Sequence, residues 1–354
     1  MPFLRLARAA IVSAALWLAA GLSPAAALDK VSFGTNWVPQ PEHGGFYQAL
    51  ADGTYRTFGL DVTIVPGGPN INNRLLLPVG RLDFYMSANT VQGYDAVEQD
   101  LPTIVVAAMF QKDPQALIAH PGQGYETFAK LKDAPVALIA KDGQFSWWQW
   151  LKVAHGFKDE ALKPYNYNLG PFLANPKSIQ QGYSVAEPIY VENQGRFKPV
   201  VHLLADHGFS TYSTVIEARI DTVKNKPDLV QRFVDASILG WVNYLYGQRG
   251  AANALMIKDN PEMTEAELEA SVALMKQQGI VDSGEALAKG IGAMNEGRIH
   301  DFYAQMVKAG LYKAGEVDLS RVATFQFVNR KVGLDVKAKL GGRQRGSRRR
   351  GTGR

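Results

Sequence analysis

Cysteine is absent from all 354 residues. That absence excludes disulfides, thiolate metal sites, a cysteine nucleophile and a lipid-modified N-terminus. Histidine is sparse. His43, His120, His155, His202, His207 and His300 are scattered along the chain, without the spacing of a metal site, so neither a metal nor a cofactor is expected. No apolar run reaches the ~18–20 residues of a membrane-spanning helix. Ala9 to Ala20 has instead the length of a signal-peptide core. No Ser-His-Asp arrangement, phosphate-cradling loop or internal repeat is legible.

What is present at the ends predicts an exported protein. Arg5 and Arg8 precede the apolar run, and Ala25-Ala26-Ala27 follows it as a small-residue cleavage site. Residues 1–27 therefore read as a signal peptide and Leu28 as the mature N-terminus, with an uncleaved anchor as the alternative. A periplasmic location follows. The tail GGRQRGSRRRGTGR from Gly341 carries six arginines, no acid and nothing apolar to bury. Residues 336–354 are expected to be a disordered, Arg-rich tail. Taking those six arginines and the leader's two from the net charge of +5 leaves −3 on the globular part. A nucleic-acid binder carries its positive charge on the folded body. This chain does not, so no nucleic-acid partner is expected.

The roughly 310 residues between leader and tail suggest two lobes. Strand-like runs near 31–35, 61–65, 82–86, 103–108, 116–119, 135–140, 182–185, 200–204 and 212–217 alternate with helical ones, the pattern of a doubly wound α/β fold. Asn70 is placed to cap a helix through Leu77, and Trp147–His155 reads as a helix ended by Gly156. After Ile220 the pattern is helical. Val230, Phe233, Val234, Ile238, Trp241, Val242 and Leu245 form a buried face, and Thr264-x-x-Glu267 opens a helix that closes at Gly279. Phe325, Phe327 and Val328 suggest a last extended segment.

The most informative stretch is Asn36–Val62, NWVPQPEHGGFYQALADGTYRTFGLDV. Val31, Phe33 and Thr35 alternate as in a strand. Pro39 and Pro41 stiffen the turn, and His43-Gly44-Gly45 opens a helix running to about Arg56. Asn36, Trp37 and His43 thus lie at a strand's carboxyl edge, where open α/β sheets bind ligands. The pattern N-W-x-P-x-x-x-H, followed by G-x-Y-x-A-x-x-x-G-x-Y and G-L-D-V, resembles the thiamine-pyrimidine-synthase-like family of periplasmic binding proteins. These are relatives of the nitrate, taurine and alkanesulfonate binding proteins of ABC importers. The likeness runs from about Val31 to Val332 and includes Gly80–Phe84 and Tyr183–Pro188.

The resemblance implies a type II periplasmic-binding-protein fold, each lobe a doubly wound sheet flanked by helices. Lobe one would hold residues 28–112 and 212–335, and lobe two residues 113–211. It also implies a monomer that takes a small-molecule pyrimidine, hydroxymethylpyrimidine or a formylaminopyrimidine, and presents it to a permease in the inner membrane. Nitrate, taurine, alkanesulfonates and riboflavin are the alternative ligands.

The candidate site residues each have a second reading. Asn36 offers donors and an acceptor to a heterocycle edge and Trp37 a stacking surface, or they serve the loop and the core. His43 donates to a ligand or ties the Pro-rich loop. Tyr85 and Asn89 end a strand facing a ligand, or pack and cap a helix. Ser146 and Trp147 sit after the strand 135–140, where N–H groups can cradle an anion or a ring substituent. Trp148 competes with Trp147 for the cleft. Tyr183 and Glu187 follow a strand. A carboxylate there recognises an amino group or ring N–H, as a Glu in this motif does in related binding proteins, or else pairs with an Arg. Aromatics outnumber cations in this set, which favours a flat, nitrogen-bearing ligand over an oxyanion.

Some family members are pyrimidine synthases, which use a lysine and a histidine four and eight residues after the Asp of the G-x-x-D stretch. Those positions here are Ser87 and Val91. Neither can form the Schiff base or supply an imidazole, and the synthases' cysteine-rich motif is missing. A binding protein, not an enzyme, is expected.

Overall fold

The computed structural model describes residues 27–69 and 71–341. The predicted leader through Ala26, Asn70 and the tail from residue 342 lie outside the described residues. Among the described residues ten strands form two five-stranded sheets: β1 Asp29–Gly34, β2 Leu60–Val65, β3 Phe84–Asn89, β4 Thr103–Phe110, β5 Gln115–Ala119, β6 Val136–Ile139, β7 Leu162–Pro164, β8 Ser178–Tyr183, β9 Val200–Leu203 and β10 Ser213–Arg219. The strand orders are β2-β1-β3-β10-β4 and β7-β6-β8-β5-β9. In the first sheet β1 runs parallel to β2 and β3, whereas β10 is antiparallel to β3 and β4. In the second, β6 runs parallel to β7 and β8, and β5 is antiparallel to β8 and β9. The chain passes between sheets twice, from β4 into β5 and from β9 into β10. Each sheet thereby receives one strand running against its parallel core, and a cleft opens between two α/β lobes.

The first lobe is held by an aromatic stack. Phe233 lies parallel to Phe84 at 4.1 Å and to Tyr55 at 5.5 Å. Phe233 sits on helix Pro227–Tyr246, whose predicted apolar face is buried throughout. That helix crosses Gly44–Ala51 with almost no space between backbones. A Cβ on Gly240 would lie 2.2 Å from the Gly45 carbonyl oxygen, and one on Gly45 would lie 2.2 Å from Trp241. The Gly44-Gly45 pair therefore serves helix–helix contact, which fixes where the preceding loop, Asn36–His43, stands.

Several expectations change. The helix expected to reach Arg56 is two, Gly44–Ala51 and Thr54–Thr57, split at Gly53, whose φ of 76° favours glycine. In place of a helix through Leu77 there is a 3-10 turn, Asn73–Leu76. β8 begins at Ser178, not at 182, because polar Gln180 and Gln181 are buried mid-strand and hide it from apolar patterning. β7 has no counterpart among the predicted strands. It is three residues at a sheet edge, where Pro164 is tolerated. Phe325–Val328 forms turns, and the extended contact is a single bridge from Ala323 to Val105. The chain is helical through 334–341, so residues 336–341 are not disordered. Val336 and Leu340 pack against the core and Lys337 pairs with Asp282 at 2.5 Å.

Candidate functional site

The loop after β1 is pinned before any ligand arrives. The Thr35 hydroxyl donates to the Trp37 carbonyl and accepts from Gly67 N–H. Asn73 donates to the Thr35 carbonyl and Asn260 to that of Pro39. His43 is buried, and its Nδ1 accepts from the Gln40 N–H at 3.1 Å. The proton therefore resides on Nε2, which points at Asn36 Oδ1, 3.5 Å away. Burial lowers the imidazole pKa to about 3, so it stays neutral. Both ring nitrogens are used inside the loop. His43 orients Asn36, leaving the Asn36 Nδ2 without a partner among the described residues.

This loop forms one wall of a cavity of about 340 Å³ between the lobes. Asn36, Trp37, His43, Tyr85, Tyr183 and Glu187, all singled out from sequence, line it together. Trp37 meets Tyr167 of the other lobe with ring centroids 4.7 Å apart. Tyr167 is held at a φ of 57°, unusual for a tyrosine, and Tyr165 stands 5.4 Å behind it. The aromatic wall thus spans both lobes.

Both walls also carry acids. Glu187 opens helix Glu187–Gly195 and accepts from the Tyr183 N–H at 2.6 Å. Burial raises its pKa to about 7 against that hydrogen bond. Glu42, in the Pro41–His43 turn, is only 3% exposed, and neither carboxyl oxygen has a hydrogen-bond partner among the described residues. Burial, with Glu187 adding, raises its pKa to about 8. Asp142 completes the acidic set, and no lysine or arginine is among the described lining residues. The cavity thus offers stacking surfaces and carboxyl groups, with no cationic side chain among the described lining residues to hold an anion.

Three predicted residues fall outside this cavity. Asn89 caps helix Thr90–Glu98, accepting from Val91 N–H, and donates to Asp113 at 2.9 Å, so its amide is spent. The Ser146 hydroxyl donates to the Asp142 carbonyl at 2.7 Å. Trp147 lies against Gly143. All three line an adjoining chamber of about 340 Å³, which shares Ala88, Gln92, Gln115, Asp142 and Tyr183 with the first. Trp148 is fully buried and donates to Asp159 at 2.9 Å, so it belongs to the core. Sequence reasoning missed Glu42, Tyr165 and Tyr167. Glu42 stands one residue before His43 in the motif itself, and Tyr165 and Tyr167 follow β7, whose existence would have placed them at a sheet's carboxyl edge.

The positions that a synthase would use are built differently here. Ser87 is fully buried and donates to Glu217, and Val91 begins a helix. Among the described residues no cluster of three His, Cys, Asp or Glu is arranged to hold a metal, and no helix is long and apolar enough to cross a membrane.

Comparison with known proteins places this geometry. A riboflavin-binding protein of Chloroflexus aurantiacus is 21% identical over 308 residues, covering 85% of this chain and 86% of that protein. A 4-amino-5-hydroxymethyl-2-methylpyrimidine phosphate synthase of Saccharomyces cerevisiae is 24% identical over 228 residues, 59% of this chain and 65% of the enzyme. Among solved structures, the periplasmic nitrate-binding protein NrtA from Synechocystis PCC 6803 superposes with a TM-score of 0.58 at 13% identity, over 88% of this chain and 91% of that one. The chain thus has the two-lobed periplasmic-binding-protein fold. The pattern of the family described as NMT1/THI5 like matches residues 40–251, and the chain belongs to that family.

Proposed function

We propose that this protein is the periplasmic solute-binding component of an ABC importer, and that it captures a flat, amino-bearing heterocycle of the thiamine pyrimidine precursor type. The observation that carries the reading is the inter-lobe cavity. Its walls combine Trp37, Tyr85, Tyr165 and Tyr167 with Glu42, Asp142 and Glu187, and lack a cation among the described lining residues. A nitrate or sulfonate site leans on Arg, Lys or helix N-termini. Asn36 Nδ2, the Tyr85 hydroxyl and both Glu42 oxygens stand without protein partners among the described residues, which supports a polar ligand in this cavity. Residues 28–112 with 212–335, and residues 113–211, act as the two lobes, and ligand capture is their closure about the crossovers.

Turnover is not part of this reading. Ser87 and Val91 replace the groups that the synthases use, and Ser87 is committed to Glu217. A second ligand reading, a larger ring system bearing a hydroxylated chain, is favoured by the adjoining chamber. The ring would occupy the first chamber and the chain the second.

A thermal-denaturation panel tests the proposal. Hydroxymethylpyrimidine, a formylaminopyrimidine, riboflavin, taurine, an alkanesulfonate and nitrate are each added in excess. At 100 times its dissociation constant, a true ligand stabilises the fold by roughly 2.7 kcal/mol. Protection by a pyrimidine is the expected result. Protection by riboflavin alone selects the second reading. Protection by taurine, a sulfonate or nitrate alone overturns both.

A further inference from the structure

A buried carboxyl without a partner is costly, and chains that keep one use it. Glu42 is such a group. It is 3% exposed, lines the inter-lobe cavity, and has two orphaned oxygens. Its own backbone N–H eases the charge slightly, and no side chain does. His43 beside it is neutral with both nitrogens engaged. The titratable groups that face it from other elements are Tyr183, Glu187, Tyr190 and Tyr244, all acids. Of these, the Tyr244 hydroxyl is a buried donor also without a partner, and it does not reach Glu42 within hydrogen-bond distance, which leaves the pairing open to a ligand.

We infer that Glu42 is the specificity-determining residue of the cleft, reading the amidine edge of an amino-heterocycle, a ring nitrogen beside an exocyclic amino group. The inference rests on the proposed solute-binding role and deepens it. Such an edge satisfies both oxygens at once. A carboxylic acid donates its O–H to the ring nitrogen and accepts from the amino group. A carboxylate accepts two parallel N–H bonds from the protonated ring. The two descriptions share one proton between the same two partners. Glu187, from the opposite lobe, is placed to take a further N–H. An oxo-heterocycle in its lactam form pairs with the protonated acid through its N–H and C=O, but its weakly basic ring cannot take the proton to give the charge-assisted pair, so it is held less tightly.

The test compares 4-amino-5-hydroxymethyl-2-methylpyrimidine, its 4-oxo counterpart, cytosine and benzamidine by calorimetry. Wild type, Glu42→Gln and Glu42→Leu are used. Glutamine presents the same donor–acceptor pair as a carboxylic acid, so Glu42→Gln is expected to retain binding of the neutral aminopyrimidine within about fivefold. Leucine presents nothing, so Glu42→Leu is expected to lose about 10- to 100-fold. The oxo compound should bind wild type more weakly than the amino compound. Free Glu42→Leu should melt no lower than wild type, since it loses an unpaired buried polar group; that separates recognition from folding. Equal aminopyrimidine affinity in wild type and Glu42→Leu overturns the inference while sparing the proposed ligand class. Glu42-dependent binding of cytosine or benzamidine, without the hydroxymethylpyrimidine, upholds the inference and overturns that ligand class. Binding of none of the amidine-edged probes overturns the inference.

Discussion

Replacing Glu42 by glutamine should change how stability depends on pH, and the structure gives the sign and size. Burial raises the folded-state pKa of Glu42 from 4.5 to about 8. Between those values the folded protein holds a proton that the unfolded chain has released. The group's contribution is thus fully present below the unfolded pKa and is lost as pH rises through the folded one. From pH 7.0 to 8.5 this amounts to about 1.2 kcal/mol lost by the ligand-free wild type. Glu187, raised to about 7, loses about 0.4 kcal/mol more over the same range, in the same direction. The amide introduced by Glu42→Gln cannot titrate, whereas Glu187 remains in the variant. The assay is urea unfolding at half-unit steps across this range, with the slope m checked for constancy. The wild-type curve should fall relative to the Glu42→Gln curve by about 1.2 kcal/mol. Parallel curves would refute the reasoning, because they would mean that Glu42 is solvated or paired in the folded protein.

Three further outcomes follow from the same geometry. Glu187→Gln keeps shape but removes charge, and should weaken binding of the identified ligand by about ten- to a hundredfold with little change in the free protein's melting. Trp37→Ala deletes the ring that meets Tyr167 at 4.7 Å, so ligand affinity should fall by at least about tenfold and small-angle scattering should report a more open ligand-free protein. Gly240→Ala drives a methyl into the Gly45 carbonyl oxygen and should cost about 1–3 kcal/mol in chemical denaturation. An unchanged midpoint there would disprove the close helix crossing.

Where local chemistry and burial agree, the sequence is readable. The apolar face of Pro227–Tyr246, the Thr264 capping box and the Gly156 stop are set within one or two turns of helix, and the structure has each of them. β8 departs from its predicted start because Gln180 and Gln181 turn polar amides into the protein, with the Gln181 side chain accepting from Ala140 N–H. Alternation cannot reveal a strand whose inward residues are polar. The site divides in the same way. Asn36, Trp37 and Glu187 stand at strand ends, and the carboxyl-edge rule finds such positions. Asn89 and Ser146 occupy comparable positions, yet their polar atoms are consumed by a helix cap and a loop carbonyl, a choice made by backbone geometry that no spacing encodes. Glu42 escapes notice because a glutamate in a proline-rich loop reads as solvated. It is buried among elements distant in sequence, with helix Glu265–Gln278 packed on its turn and Tyr190 and Tyr244 facing it.

The most direct test of the central claim is to identify the small molecule that the protein carries. The protein would be purified from its native compartment without denaturation, weighed by native mass spectrometry, then unfolded and its released ligand analysed. A bound aromatic heterocycle with an amino group next to a ring nitrogen is the predicted result, released intact and in one copy per chain. Recovery of an oxyanion such as a sulfonate, or of a product that the protein itself makes from its own histidine, would contradict the account.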